Sequence, residues 1–125
     1  MRLLLDTHIF LWVVAGSVSL TAKARKTIEA AEAVFVSAAS IWEIAIKARL
    51  GKIDADPDAV VAAIDASGFI ELPVRAAHAA RVAALPPLHT DPFDRLLIAQ
   101  AIAEPLRLLT ADAALKGYGE LVTVV

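Results

Sequence analysis

Four acidic residues, Asp6, Glu43, Asp94 and Asp112, stand where apolar segments end or helices begin. Asp6 closes MRLLLD, Glu43 lies within SIWEIAIK, Asp94 within DPFDRLLIAQA, and Asp112 ends RLLTAD. An unpaired charge among Leu, Ile, Val and Ala is costly, so carboxylates placed there need a shared positive partner. Mg²⁺ and Mn²⁺ are the natural choice, because they take hard oxygen ligands and keep water and phosphate in their shell. One or two such ions can polarise a phosphodiester oxygen and activate water. The chemistry these four residues suit is therefore metal-assisted phosphodiester hydrolysis.

Each acid also has a purely structural use. Asp6 can cap the helix that follows it. Ser40 and Glu43 have the spacing of a capping box, and Glu43 is also four residues from Lys47. Asp91 before Pro92 reads as an N-cap with Asp94 in the first turn, and Asp112 can cap a short helix. Asp91 therefore either contacts metal or only caps. The hydroxyls of Thr7, Ser37 and Thr110 adjoin strand ends, where each can orient a carboxylate or a water. Lys47, Arg49 and Arg95 are candidates for neutralising flanking phosphates. His8 is expected on a helix surface, His78 in a structural role and His89 near the acidic crevice. Trp12 and Trp42 lie among apolar residues and are expected to pack in the core.

The elements that must position these side chains alternate between strand and helix. Leu3 to Leu5 is a buried-strand candidate, and residues 7–15 a helix closed by Gly16. Residues 20–33 show helical spacing, with Ser19 as cap. Ala33–Ser37 is the second strand. A helix over 40–50 stops at Gly51, and Pro57 opens another that ends at Gly68. Phe69–Leu72 is the third strand, 75–84 an Ala-rich helix, and Asp91-Pro92 starts a helix to about Glu104. Leu106–Thr110, a turn at 112–117 and Leu121–Val124 complete an α/β chain with a mostly parallel five-stranded sheet flanked by helices. In such a sheet, ligands bind beyond the carboxyl ends of the strands. Asp6 and Asp112 meet there if the first and fourth strands are neighbours.

Composition narrows the class. The chain has 125 residues, is 58% hydrophobic and contains no cysteine, so thiolate metal sites and disulfides are excluded. One domain over 1–125 is expected. The N-terminal apolar run is interrupted by Asp6 and His8, too short for a signal peptide or a membrane span. A cytoplasmic protein without a membrane partner is expected. With a net charge of −2, nucleic acid cannot be gathered by a global positive field. No glycine-rich phosphate loop and no nucleophile elbow is present. A signalling receiver would need paired acids after the first strand, and an aspartate phosphatase a second acid where His8 stands.

Taken together, LLLDTHIFLW, VSAASIWEIAIKARLGKI, LPPLHTDPFDRLLIAQA and LLTAD resemble the PIN-domain ribonucleases, specifically the VapC-type toxins of bacterial toxin–antitoxin pairs. The pieces come in the family's order and span essentially the whole chain. The resemblance implies a three-layer fold with acids from four segments around one or two Mg²⁺ or Mn²⁺ ions. By position these are Asp6, Glu43, Asp94 and Asp112, with Thr110 as a supporting hydroxyl. It also implies an RNA substrate, a homodimer, and a cognate antitoxin that lays a helix in an apolar groove, for which helices 7–15 and 40–50 are candidates. The competing expectation is a catalytically silent PIN-like module that binds RNA or a protein.

Overall fold

β1 (Arg2–Leu5) runs down the middle of the sheet, between β2 (Ala33–Ser37) and β4 (Arg107–Thr110). β3 (Ile70–Leu72) borders β2 and β5 (Val122–Val124) borders β4, giving the order β3-β2-β1-β4-β5 with every pair parallel. The computed structural model describes all 125 residues. The chain winds outward from β1 to β3, then crosses back to place β4 on β1's other side. That reversal opens a crevice at the carboxyl edge between β1 and β4, where an open parallel sheet takes ligands.

Alternation along the strands assigns the two faces. Leu3 and Leu5 point to one face with Val34, Val36 and Leu109. That face is covered by α1 (Thr7–Ala15), α2 (Ala22–Ala30) and α4 (Pro57–Ala66) through Ile9, Phe10, Ala24, Val60 and Ile64. Leu4, Leu72, Leu108 and Val122 point to the other, covered by α6 (Pro92–Ala103) through Leu97, Ile98 and Ala101. Because both faces are buried, the strands read as continuous apolar runs rather than as alternating ones. α3 (Ala38–Arg49) packs against α1, α4 and α6. α5 (Ala76–Arg81) lies on α6 and continues as a 3₁₀ turn, Val82–Ala84. A second 3₁₀ segment, Ala113–Tyr118, leads into β5. No helix is long and apolar enough to cross a membrane.

Two helix starts differ from the sequence reading. α2 begins at Ala22, and Thr21, not Ser19, caps it by accepting from Ala24 N–H at 3.1 Å. α3 begins at Ala38 directly off β2, capped by Ser37, whose Oγ accepts from Ala39 N–H at 3.0 Å. Ser40 and Glu43 therefore lie inside the helix and form no capping box. Glu43 lies on the inner face of α3, where it is 3% exposed.

A buried polar chain ties this start of α3 to the opposite layer. Ser37 Oγ donates to Gln100 Oε1 on α6 at 2.6 Å, and Gln100 Nε2 donates to the Pro73 carbonyl at 3.2 Å. His78 of α5 accepts at Nδ1 from Arg75 N–H at 3.0 Å, so its proton sits on Nε2, 2.5 Å from Glu104 Oε2. The structural role expected for His78 follows from these contacts. Ser37, for its part, faces Gln100 rather than any carboxylate of the crevice.

Candidate active site

Asp6 leaves β1 as the N-cap of α1. Its backbone N–H extends the ladder to Leu109 O at 3.0 Å, and its side chain accepts from Ile9 N–H at 2.9 Å. The other carboxylate oxygen accepts from Thr110 Oγ1, at the end of β4. Capping and site-forming are thus one geometry, because the cap faces the crevice. Burial pushes the Asp6 carboxyl above its usual value, although Thr110 and Ile9 oppose this by stabilising the anion.

Glu43 is held from two sides. Thr7 Oγ1 donates to Oε1 at 2.7 Å and approaches Ser40 Oγ at 3.0 Å, while Lys47 Nζ pairs with Oε2 at 2.6 Å. The hydrogen bond it donates to Glu43 holds the Lys47 ammonium above its ordinary range, and Asp91 and Asp94 reinforce it through space. Lys47 is therefore already engaged with the acidic cluster.

Asp94 sits in the first turn of α6, with His89 Nε2 at 2.9 Å from its Oδ2. Burial and the neighbouring charges of Asp91, Asp6 and Glu43 raise its carboxyl to about 6. Asp91 caps α6, accepting from Phe93 N–H at 2.8 Å and Asp94 N–H at 3.2 Å through one oxygen. Asp112 caps the second 3₁₀ segment, accepting from Ala114 N–H at 2.9 Å, and its own N–H donates to Thr110 Oγ1 at 3.0 Å. Thr110 thereby links the Asp6 and Asp112 segments through one hydroxyl. His89, Asp94 and Asp112 each offer a ligand atom within 4.8 Å of the others.

The structure therefore gathers Asp6, Glu43 and Asp94 into one electrostatic cluster, with Asp112 joining through Asp94 and His89. Thr7 and His89 emerge as organising groups. Thr7 adjoined a strand end in the sequence, but nothing there pointed to Glu43 as its partner. Arg95 has no free guanidinium for a phosphate, since it donates to the carbonyls of Pro86 and Val82, both at 3.1 Å, and to Tyr118 Oη at 3.3 Å. The largest concavity, about 510 Å³, lies elsewhere, at the amino edge of the sheet between Arg2, Glu32, Arg107 and Glu120.

The donor set fits Mg²⁺ or Mn²⁺, since it is rich in carboxylate oxygen and carries a surplus of negative charge that Lys47 alone does not balance. The sign of its pH dependence follows. Asp6 and Asp94 both hold protons more tightly in the folded chain than in the unfolded one. Between the ordinary carboxyl value of 3.8 and about 6, the unfolded chain gives up protons that the folded chain keeps, so stability falls as pH rises. In EDTA the melting temperature is expected to drop from pH 5 to pH 7, and saturating Mg²⁺ at pH 7 is expected to recover it. A metal-free melting temperature that rises over this interval would count against the acidic cluster as drawn.

A family model for the PIN domain matches residues 3–121. No curated protein matches the chain significantly. Among solved structures, a toxin–antitoxin complex from Klebsiella pneumoniae aligns at 20% identity over 97% of this chain and 95% of that one, with a TM-score of 0.68. VapBC2 from Rickettsia felis, bound to a DNA fragment from its promoter, aligns at 16% identity over 100% and 98%, with a TM-score of 0.69. FitAcB from Neisseria gonorrhoeae aligns at 19% identity over 90% and 88%, with a TM-score of 0.61. With the family model covering nearly its whole length, and an all-parallel sheet that presents acids at the β1–β4 edge, the chain belongs to the PIN domain family.

Proposed function

We propose that the chain is a divalent-metal-dependent endoribonuclease, the toxin of a toxin–antitoxin pair restrained by a small cognate antitoxin. The observation that carries this reading is the meeting of Asp6, Glu43 and Asp94, from three separate segments, at the β1–β4 edge. There their charges act on one another, and the carboxyls of Asp6 and Asp94 are raised. Asp6, Glu43, Asp94 and Asp112 are the residues that would hold Mg²⁺ or Mn²⁺. Such an ion supplies Lewis acidity toward a phosphodiester and acidifies water.

The chain's own residues fix this arrangement. Thr110 and the Ile9 N–H orient Asp6, Thr7 and Lys47 orient Glu43, and His89 orients Asp94. Each carboxylate thus presents a set direction without reorganising on binding, which is where electrostatic catalysis gains most. Lys47 lies at the flank of the cluster, placed to neutralise a phosphate of a bound strand. The antitoxin reading draws on the neighbouring toxin–antitoxin complex and on apolar side chains left open on α1 and just past α3, Val14 and Leu50. A homodimer acting in the cytoplasm completes the reading.

The test is cleavage of total cellular RNA by the purified protein, with Mg²⁺ or Mn²⁺ and then with EDTA. Cutting is expected with metal, and none is expected with EDTA or in Asp6→Asn. A folded, metal-loaded protein that cuts no RNA across a broad panel would overturn the reading in favour of a silent binding module.

A further inference from the structure

The donors of the acidic site are not equally committed. Both oxygens of Asp6 already accept, from Ile9 N–H and Thr110 Oγ1, and both oxygens of Glu43 accept from Thr7 Oγ1 and Lys47 Nζ. Asp94 and Asp112 each have one oxygen engaged, with His89 Nε2 and with Ala114 N–H, both at 2.9 Å. Their second oxygens take no hydrogen bond from the protein, and neither does His89 Nδ1. The least committed donors therefore belong to Asp94, Asp112 and His89, and ligand atoms of these three lie within 4.8 Å of one another.

Three segments deliver them. Asp94 stands in the first turn of α6, Asp112 follows β4, and His89 comes from the irregular stretch before α6. That stretch is pinned from below. Arg95 donates to the carbonyls of Val82 and Pro86 at 3.1 Å and to the carbonyl of His89 itself at 3.4 Å. With its backbone tied to α6, His89 presents its ring to the acids in a set direction. A hydrogen bond to Asp94 accounts for one contact of that ring. It leaves the approach of Asp112 without a cause, because two carboxylates this close repel unless a cation stands between them.

We propose that His89 is a ligand of the divalent ion, joining Asp94 and Asp112 through an imidazole nitrogen. This rests on the metal site of the reading above and gives that site a selectivity that carboxylates alone do not have. The ring can carry its proton on Nδ1, where no group of the chain competes for it, and so turn a lone pair at Nε2 toward the ion. An imidazole adds little for Mg²⁺ and more for a first-row transition ion, so Mn²⁺ is held in preference to Mg²⁺.

The experiment uses the metal-free full chain in a buffer without nitrogen. Mn²⁺ and Mg²⁺ are each titrated by calorimetry into wild type and His89→Gln, and the Mn²⁺-loaded proteins are examined by pulsed electron paramagnetic resonance for coupling to nitrogen. Glutamine places an amide donor near the position of Nε2, so it keeps a hydrogen bond to Asp94 and supplies no ring nitrogen. Wild type is expected to show nitrogen coupling and His89→Gln none. His89→Gln is expected to bind Mn²⁺ about tenfold to a hundredfold more weakly, with Mg²⁺ affinity changed less than about threefold. Mn²⁺ bound to wild type without nitrogen coupling, or coupling that survives in His89→Gln, would overturn the assignment. So would equal weakening of the two ions, the mark of a ring that only orients Asp94. Cleavage of total RNA is followed in parallel. Coupling in a protein that cuts no RNA would keep the ligand and remove the ribonuclease reading, whereas metal-dependent cutting without coupling would remove the ligand alone.

Discussion

Asp94→Asn is expected to reduce RNA cleavage by about a hundredfold to a thousandfold while making the metal-free protein more stable. The two effects have one cause. At neutral pH the folded chain holds Asp94 ionised against burial and against the charges of Asp91, Asp6 and Glu43, which is why its carboxyl rises to about 6. Asparagine removes that repulsion while keeping an acceptor for His89. The side chain is 21% exposed, so solvent screens part of the penalty, and the gain comes to about 1–2 kcal/mol. A chain of this size then melts roughly 3–6 °C higher in EDTA. The gain shrinks below pH 5, where wild-type Asp94 is itself protonated when folded. The decisive result is the pair of measurements together, since a merely structural Asp94 would lose stability on substitution. Unchanged cleavage by a folded Asp94→Asn would remove Asp94 from the site.

Gln100→Leu is expected to lower stability by about 1–3 kcal/mol with little change in shape. Gln100 is wholly buried and nearly isosteric with leucine, so no large cavity forms. What is lost is the junction of the polar chain. Ser37 Oγ loses its acceptor in the interior, and the Pro73 carbonyl loses its donor at the partly exposed end of the chain. The orphaned Ser37 hydroxyl costs about 1–3 kcal/mol, and the Pro73 carbonyl adds little because water reaches it. In urea, the midpoint is expected to fall at unchanged slope, the sign of a stability change without a change in compactness. Ser37 also caps α3, so a smaller loss of activity accompanies it as Glu43 drifts. A midpoint within error of wild type would show that these hydrogen bonds contribute nothing net.

Much of this arrangement was legible in the residues. The strands are continuous apolar runs, and Asp6 and Asp112 follow two of them, so a parallel sheet brings both to one edge once β1 and β4 pair. Pro92 fixed the start of α6, and with it the first-turn place of Asp94. What was not legible depends on helix phase. A serine two residues from a plausible start made 40 look like the beginning of α3, yet Ser37 begins it. Neither start shows that Glu43 faces inward and Trp42 outward, a reversal of the usual burial of the two types that packing against α1 and α6 decides. Hydropathy alone favours the opposite assignment. The partnership of Thr7 with Glu43 spans 36 positions and that of His89 with Asp94 only 5, but neither leaves a pattern that spacing can reveal.

The hydroxyl that Thr110 gives to Asp6 bridges residues 104 apart in sequence. Its strand, β4, forms the side of the crevice opposite β1, and loop closure over such a span comes late in assembly. A ribosome adds about 5–20 residues per second, so several seconds pass between the emergence of Asp6 and that of Thr110. During that interval the nascent chain has β1, β2 and α3 but not the strand that completes the crevice. The acidic crevice is therefore incomplete while β1, β2 and α3 emerge, and closes only once β4 has been made.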